Sequence, residues 1–401
     1  MGLRTVRAAL VGAVAAALAA TGLATATAAG SGQGGGGHGA TRAVMEAEVK
    51  AGMPGVLGQV QDDHGTWNGS AGVADLATQR QRLPQDRFRI GSISKAFVST
   101  VLLQLEAEGR LDLDDTVERR LPGVVRGNGH DGSRITVRQL LNHTSGVFNY
   151  TDDPGIVEKL TTGFPEHRYD TYTPRQLVAV AMKHRPDFRP GQGWHYSNTN
   201  YVLAGMIVEK VTGRTYAAEI EKRVIDRLGL RATTLPGTSP RMPSPHGRAY
   251  SKLSTAPDAR IHDTTELNPS WGGAAGEIIS TTGDLNRFYR ALLGGKLLPE
   301  RQQKELLTTV PVRDGGGYGL GISSATLSCG TTVWLHDGGI HGSISLAVST
   351  ADGRHTSAFN HNGDWTEGDL PGLVEAEYCG VKPDGAAPKT GSALAAVTSL
   401  R

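Results

Sequence analysis

Ser92 and Lys95, in the stretch Phe88-Arg89-Ile90-Gly91-Ser92-Ile93-Ser94-Lys95-Ala96-Phe97, set a hydroxyl and an amine three residues apart. Gly91 allows a sharp turn out of an extended run, and apolar residues then recur at Phe97, Val101, Leu102 and Leu105 with helical spacing. Ser92 therefore belongs at a helix start. Residues at i and i+3 share a helix face, so the amine of Lys95 can approach the hydroxyl of Ser92. Burial and the positive end of the helix dipole both disfavour an ammonium ion, and a neutral amine can accept the serine proton. The chemistry offered is that of a nucleophile with its own base.

Two later stretches add polar groups of the right kind. Trp194-His195-Tyr196-Ser197-Asn198-Thr199-Asn200 follows the turn-rich Arg189-Pro190-Gly191-Gln192-Gly193 and precedes a helix, so Tyr196 and Asn198 are expected to project from a loop. Trp334-Leu335-His336-Asp337-Gly338-Gly339 closes a β-branched run, and its glycine pair lets main-chain N–H groups come close to a ligand. Other chemistries are not supported. The thirteen histidines are scattered without His-x-x-x-His or Cys-x-x-Cys spacing, which argues against a metal centre, and no cofactor is implied. A formal charge of +2 gives no reason to expect nucleic-acid binding.

The elements that must position these groups alternate unevenly along the chain. Arg42 to Ala51 reads as an amphipathic helix, and Pro54 to Gln61 with Gly65 to Ala71 as an antiparallel strand pair. The Ser92 helix ends near Gly109. A helix starts at Thr136 to Leu141, another opens on Thr173-Pro174-Arg175-Gln176-Leu177 with an N-cap and a proline at N1, and further helices cover Asn200 to Thr212 and Ala217 to Leu228. Strands return at Gly317 to Ile322, Thr331 to His336, Ser343 to Ser349 and Thr356 to Asn360, before a helix from Leu370 to Tyr378. This order predicts an α+β sandwich: an antiparallel sheet from both chain ends, flanked by helices, with a mostly helical lobe inserted at about 110–310.

The termini read differently. Residues 1–29 resemble a signal peptide, with Arg4 and Arg7 before an alanine-rich apolar run of about sixteen residues and small residues after it, short of the ~20 strongly apolar residues a membrane span needs. Residues 30–39 are a glycine-rich flexible segment, 40–381 the folded domain and 382–401 an Ala/Gly/Ser/Thr/Pro-rich tail expected to be disordered. The expectation is a secreted protein with no stable membrane anchor, acting as a monomer. In an exported chain Cys329 and Cys379, the sole cysteines, are expected to pair.

Ser92-Ile93-Ser94-Lys95, Tyr196-Ser197-Asn198 and His336-Asp337-Gly338, in that order, resemble the three motifs of the penicillin-recognising serine hydrolases, which include class C β-lactamases and secreted D-alanyl-D-alanine carboxypeptidases. The similarity extends to Arg134 through Gly146, to Trp271 and to Tyr318-Gly319-Leu320-Gly321. The resemblance implies the β-lactamase/transpeptidase-like fold and a Ser92 acyl-enzyme. It implies Lys95 as proton acceptor and Tyr196 as the group that shares that proton and later activates water, its phenolate sustained by cationic Lys95 and His336. It further implies that Asn198 binds the acyl-side amide, that Trp271 walls the cleft, and that the N–H groups of Ser92 and Gly339 form an oxyanion hole. His336 and Asp337 line the substrate site. Substrates would be small peptides, esters or amides, peptidoglycan stem peptides among them, with β-lactams as inhibitors.

The carboxypeptidases grip a terminal carboxylate with an arginine on the strand before the third motif and with threonines in and after it. Here Gly319 to Ser328 contains no cation, and Asp337 and Gly339 stand where those threonines would be. Two like charges ~4 Å apart at an effective dielectric constant near 20 repel by about 4 kcal/mol. D-alanyl-D-alanine carboxypeptidase-like action remains the leading expectation. An esterase, a D-aminopeptidase or D-amino-acid amidase, and a β-lactamase are the alternatives on the same scaffold, and a penicillin-binding sensor that acylates and stalls is the alternative outside hydrolysis.

Overall fold

The computed structural model describes residues 37–381 apart from 255, 257, 313–315 and 366–367. The expected signal peptide, most of the glycine-rich segment and the tail after 381 lie outside the described residues.

The first described helix, α1 (Gly39–Lys50), leads into strands β1 (Gly55–Asp62) and β2 (Gly65–Gly72), whose turn is closed by Asp62 Oδ1 accepting from the N–H groups of His64 and Gly65 at 2.8 and 3.1 Å. A long, mainly helical insertion follows, carrying α2 (Ser94–Ala107), α3 (Asn198–Thr212), α4 (Thr282–Leu293) and shorter helices. The chain then returns to the sheet through β3 (Val310–Pro311), β4 (Gly317–Tyr318), β5 (Ser323–Thr326), β6 (Thr332–Ile340), β7 (Ser343–Thr350) and β8 (Thr356–His361), and ends in α5 (Leu370–Cys379). The eight strands run in the order β2-β1-β8-β7-β6-β5-β4-β3, every pair antiparallel, so the two chain ends meet where β1 pairs with β8 from Val56↔His361 to Gln61↔Thr356.

Alternation along these strands divides the core in two. Val56, Val333, Leu335, Leu346, Val348 and Phe359 pack with α1 and α5, while Leu57, Trp334, Ala347 and Ala358 pack with α2 and α4. Every residue of α2 from Ser94 to Glu106 is buried, so this helix is enclosed on all sides, and Phe97 stacks on Phe288 of α4 with ring centroids 3.8 Å apart. A lysine near the start of such a helix loses its water. Cys329 and Cys379 are bridged, tying the β5–β6 turn to the end of α5. Among the described residues no helix is long and apolar enough to cross a membrane.

Several boundaries depart from the sequence reading. Of the expected strand from Gly317 to Ile322 only Gly317–Tyr318 is strand, β4; residues 319–322 form a reversal into β5, in which Gly321 has φ +82°, a conformation glycine adopts without strain. Strand β6 does not end at His336. It carries the whole third motif to Ile340, because β7 pairs with it out to Ile340↔Ser343 and overrides the poor strand propensity of Asp-Gly-Gly. Asn198 is the first residue of α3 rather than part of the loop, and the helix expected at Ala217 to Leu228 is interrupted by a π-helical stretch, Glu221–Ile225.

Candidate active site

Ser92 lies in the 3-10 turn Gly91–Ile93 that feeds α2, half-buried, with Gly91 at φ +50°. The turn is bolted to its surroundings: Ile90 N–H donates to Ile278 O at 2.9 Å, and Arg89 O accepts from the Ser343 hydroxyl of β7 at 2.7 Å. Strand β6 presses against it. A Cβ on Gly338 would stand 1.9 Å from Ile90 O and 2.9 Å from Ser92 N, and one on Gly91 would stand 2.7 Å from Gly339 N. The glycines of the third motif thus let β6 approach the main chain of the Ser92 turn to within a distance that no side chain would allow.

Lys95 Nζ lies 2.9 Å from Ser92 Oγ, 2.8 Å from Asn198 Oδ1 and 2.9 Å from Ala275 O. Its side chain is fully buried, and that burial pushes its pKa well below the usual lysine value, with the Asp337 carboxylate acting the other way. In the neutral form, two N–H bonds serve the oxygens of Asn198 and Ala275, which accept only, and the lone pair is left for the Ser92 O–H. The helix-start geometry read from spacing is therefore supplemented by two carbonyl oxygens from distant segments that aim the amine. Ala275 has no signal in the sequence, since a main-chain carbonyl carries none.

Tyr196 is buried, its ring centroid 4.7 Å from Lys95 Nζ and 4.4 Å from the His143 ring. Asn198 lies between Lys95 and the 149–152 turn: its N–H donates to Asn149 Oδ1 at 3.0 Å and its Nδ2 to Thr151 Oγ1 at 3.3 Å. Trp271 is partly buried against Phe164, Leu267 and Ile340, with its ring edge-on to His341 at 5.6 Å. His336 and Asp337 are buried on β6.

The expectation that His336 is a cation beside Tyr196 is corrected. Burial and, after it, the charge of Lys95 depress His336 to about 3 against the raising effect of the Asp337 carbonyl oxygen 2.6 Å from its Nδ1, so the ring is neutral near pH 7 and no charged pair forms with the Asp337 carboxylate 3.9 Å away. Ser92, Tyr196, Asn198 and His336 thus gather around the amine of Lys95, with Asp337 close enough for its charge to act on Lys95, Tyr318 and Tyr289. Sequence reasoning gave no role to His143 or Tyr318, although both sit in runs that carry the resemblance.

A model of the beta-lactamase family matches residues 40–365. Penicillin-binding protein 4* of Bacillus subtilis (strain 168) is 27% identical over 304 residues, 73% of this chain, and the chain spans 64% of that relative's length. The crystal structure of a D-stereospecific amidohydrolase from Streptomyces sp. is 56% identical with a TM-score of 0.82, covering 86% of this chain and 100% of that one. The D-amino acid amidase of Ochrobactrum anthropi SV3, complexed with L-phenylalanine amide, is 27% identical with a TM-score of 0.72, covering 84% of this chain and 95% of that one. With three ordered motifs gathered around one serine and a family match over most of its length, this chain belongs to the beta-lactamase family.

Proposed function

We propose that this protein hydrolyses amides and esters of D-amino acids or short D-aminoacyl peptides through an acyl-enzyme on Ser92, and that it favours leaving groups without a free carboxylate. Lys95 takes the Ser92 proton as Oγ attacks the carbonyl carbon, and the N–H groups of Ser92 and Gly339 receive the oxyanion. Collapse of the tetrahedral adduct breaks the bond to the leaving amine or alkoxide, which takes the proton from the Lys95–Tyr196 pair. Water then adds to the acyl-enzyme by the same route and releases the acid. β-Lactams, being strained cyclic amides, acylate the same hydroxyl.

The observation that carries the leaving-group preference is Asp337, buried on β6 within electrostatic reach of Lys95, while Ser323, paired across from Leu335 on the neighbouring strand, is also buried and supplies no cation. A repulsion of about 4 kcal/mol against a substrate carboxylate at ~4 Å corresponds to roughly a thousandfold in rate. The likeness to two proteins named for D-amino-acid and D-stereospecific amide hydrolysis supports the same reading over the carboxypeptidase expectation. On the acyl side, Asp152, a surface residue whose carboxyl is raised by partial burial, is joined to Asn198 through Asn149, whose Nδ2 donates to Asp152 Oδ1 at 3.2 Å, a suitable partner for a substrate α-ammonium. Export of the protein is part of the proposal, supported by the leader pattern before Gly30 and the Cys329–Cys379 bridge.

The test is turnover of D-phenylalanine amide, L-phenylalanine amide, D-alanyl-D-alanine and D-alanyl-D-alanine amide by the purified protein. The expected order puts both D-amides at least a hundredfold above the free-acid dipeptide in kcat/KM. A free acid cleaved faster than its amide overturns the proposal.

A further inference from the structure

Three rings join the second and third motifs beside Tyr196. His143 Nε2 lies 3.2 Å from Tyr318 Oη, and Tyr318 Oη lies 2.9 Å from His336 Nε2. Both ends of this chain meet main-chain groups. At one end the Ser197 N–H, between Tyr196 and Asn198, donates to His143 Nδ1 at 3.1 Å; at the other His336 Nδ1 faces the Asp337 carbonyl oxygen at 2.6 Å. A peptide N–H only donates and a peptide oxygen only accepts. His143 must then carry its hydrogen on Nε2 and give it to Tyr318, His336 must carry a hydrogen on Nδ1, and with that ring neutral the Nε2 lone pair takes the Tyr318 hydrogen in preference to Tyr201, the other hydrogen-bonding neighbour of Tyr318.

Side contacts agree with that direction. Val147 N–H donates to Ser145 Oγ, Ser145 donates to Asn200 Oδ1 at 2.6 Å, and so Asn200 turns its NH2 to His143 Nδ1 at 3.1 Å. His143 itself has φ +62°, a left-handed conformation that a residue with a Cβ holds only when its surroundings fix it. Its carbonyl accepts from His195 N–H at 3.2 Å, so both sides of Tyr196 are held by this one residue.

We infer that His143 and Tyr318 are positioning residues forming a one-way hydrogen-bond relay, which locks His336 as the neutral Nδ1–H tautomer and braces the ring of Tyr196 over Lys95. Adding a proton to His336 Nε2 forces Tyr318 Oη to accept from both histidines and to turn its O–H from His336 to Tyr201, its other hydrogen-bonding neighbour, so the relay is lost; His143 cannot offer the reversed arrangement because its Nδ1 already faces a main-chain donor. The ionisable groups around the relay are Lys95, Tyr196, Tyr201, His195 and Asp337. Burial lowers both histidines, in the same direction as the geometry. The third motif therefore faces a leaving group with no cation, which rests on the proposed reaction only for its kinetic readout, since the tautomer is read without substrate.

The test uses the whole protein labelled with 15N-histidine, the His336 signals being assigned by their loss in His336→Gln. Long-range 1H–15N correlation should show His336 as the Nδ1–H tautomer, untitrated from pH 5 to 8. Tyr318→Phe keeps the ring and removes the relay; His143→Asn keeps an acceptor for Ser197 N–H, tolerates positive φ and removes the donor to Tyr318. Each should free His336 to titrate or change tautomer, add an ionisation to the kcat/KM profile between pH 5 and 8, and lower kcat at least tenfold with KM within threefold. If Tyr318→Phe does not fold, His143→Asn decides alone. A charged or Nε2–H His336 in the native protein, or variants whose His336 signals and pH profile match the native ones, would overturn the inference.

Discussion

Gly338→Ala places one methyl group between the strand and the turn that together shape the site. The added Cβ would stand 1.9 Å from Ile90 O and 2.9 Å from Ser92 N, both main-chain atoms that cannot swing aside. Ordinary carbon–oxygen contact is about 3.3 Å, so β6 and the Ser92 turn must separate by roughly 1.4 Å. Displacement on the order of 1 Å costs about 10²-fold in rate, and loss of one oxyanion donor about 10²- to 10³-fold. Overpacking of a buried contact costs about 1–3 kcal/mol, which lowers Tm by several degrees in a protein of this size. We therefore expect kcat on D-phenylalanine amide to fall by about 10²- to 10³-fold while the protein remains folded. Thermal unfolding and steady-state assay of the variant provide the check, with Gly39→Ala, whose Cβ meets nothing within 4 Å, as the control expected to be neutral. Activity of Gly338→Ala within threefold of native would refute the close approach of β6 to Ser92.

Three further outcomes follow from the same structure. Because the Asp337 carboxylate opposes the lowering of Lys95, Asp337→Asn should let the amine lose its proton at lower pH and move the acid limb of kcat/KM downward; an upward shift in the pH–rate profile would contradict this. Burial by itself would raise the Glu377 carboxyl, yet hydrogen bonds from His355, Thr41 and His38 at 2.7–3.1 Å hold it below its ordinary value, so the stability it contributes is present above the unfolded carboxyl pKa and is lost as pH falls through the folded one. Glu377→Gln should cost about 1–3 kcal/mol at pH 7 and flatten the fall of Tm between pH 5 and 3 in thermal scans, a fall unchanged from native being the contrary result. Reduction of Cys329–Cys379, which closes a loop of 50 residues, should lower stability by roughly 4 kcal/mol in denaturant titration, and no change in midpoint would count against the chain-entropy account.

Where a local rule governs the chain, the sequence is a good guide. Thr173-Pro174 forms the N-cap and N1 proline its letters suggest, with Gln176 completing a capping box, Thr136 with Gln139 forms a second box, and the Pro54 to Gln61 run pairs with Gly65 to Ala71 nearly residue for residue. The Ser92–Lys95 spacing yields a 2.9 Å contact because both residues sit on one turn. What escapes the sequence depends on partners far along the chain. Gly319 and Gly321 look like part of a strand until the β4–β5 reversal uses them, and Asp337-Gly338-Gly339 looks like a strand end until β7 pairs across it. The charge of His336 escapes the sequence for the same reason: its neutrality comes from burial, and the groups around it, Tyr318 at 18 residues and, through Tyr318, His143 a further 175 residues off, are brought together only by the fold. Asp337 stands out in the sequence as a departure from the resembled motif, but only the fold shows it buried on β6 within electrostatic reach of the lysine rather than turned to solvent.

Rapid quench of the protein during turnover of a D-phenylalanine ester, followed by intact-mass and peptide mapping, measures the acyl-enzyme itself. A D-phenylalanyl adduct on the peptide containing Ser92, decaying at the rate of acid release and absent from Ser92→Ala, is the predicted result. An adduct on another residue, or undiminished turnover by Ser92→Ala, would contradict it.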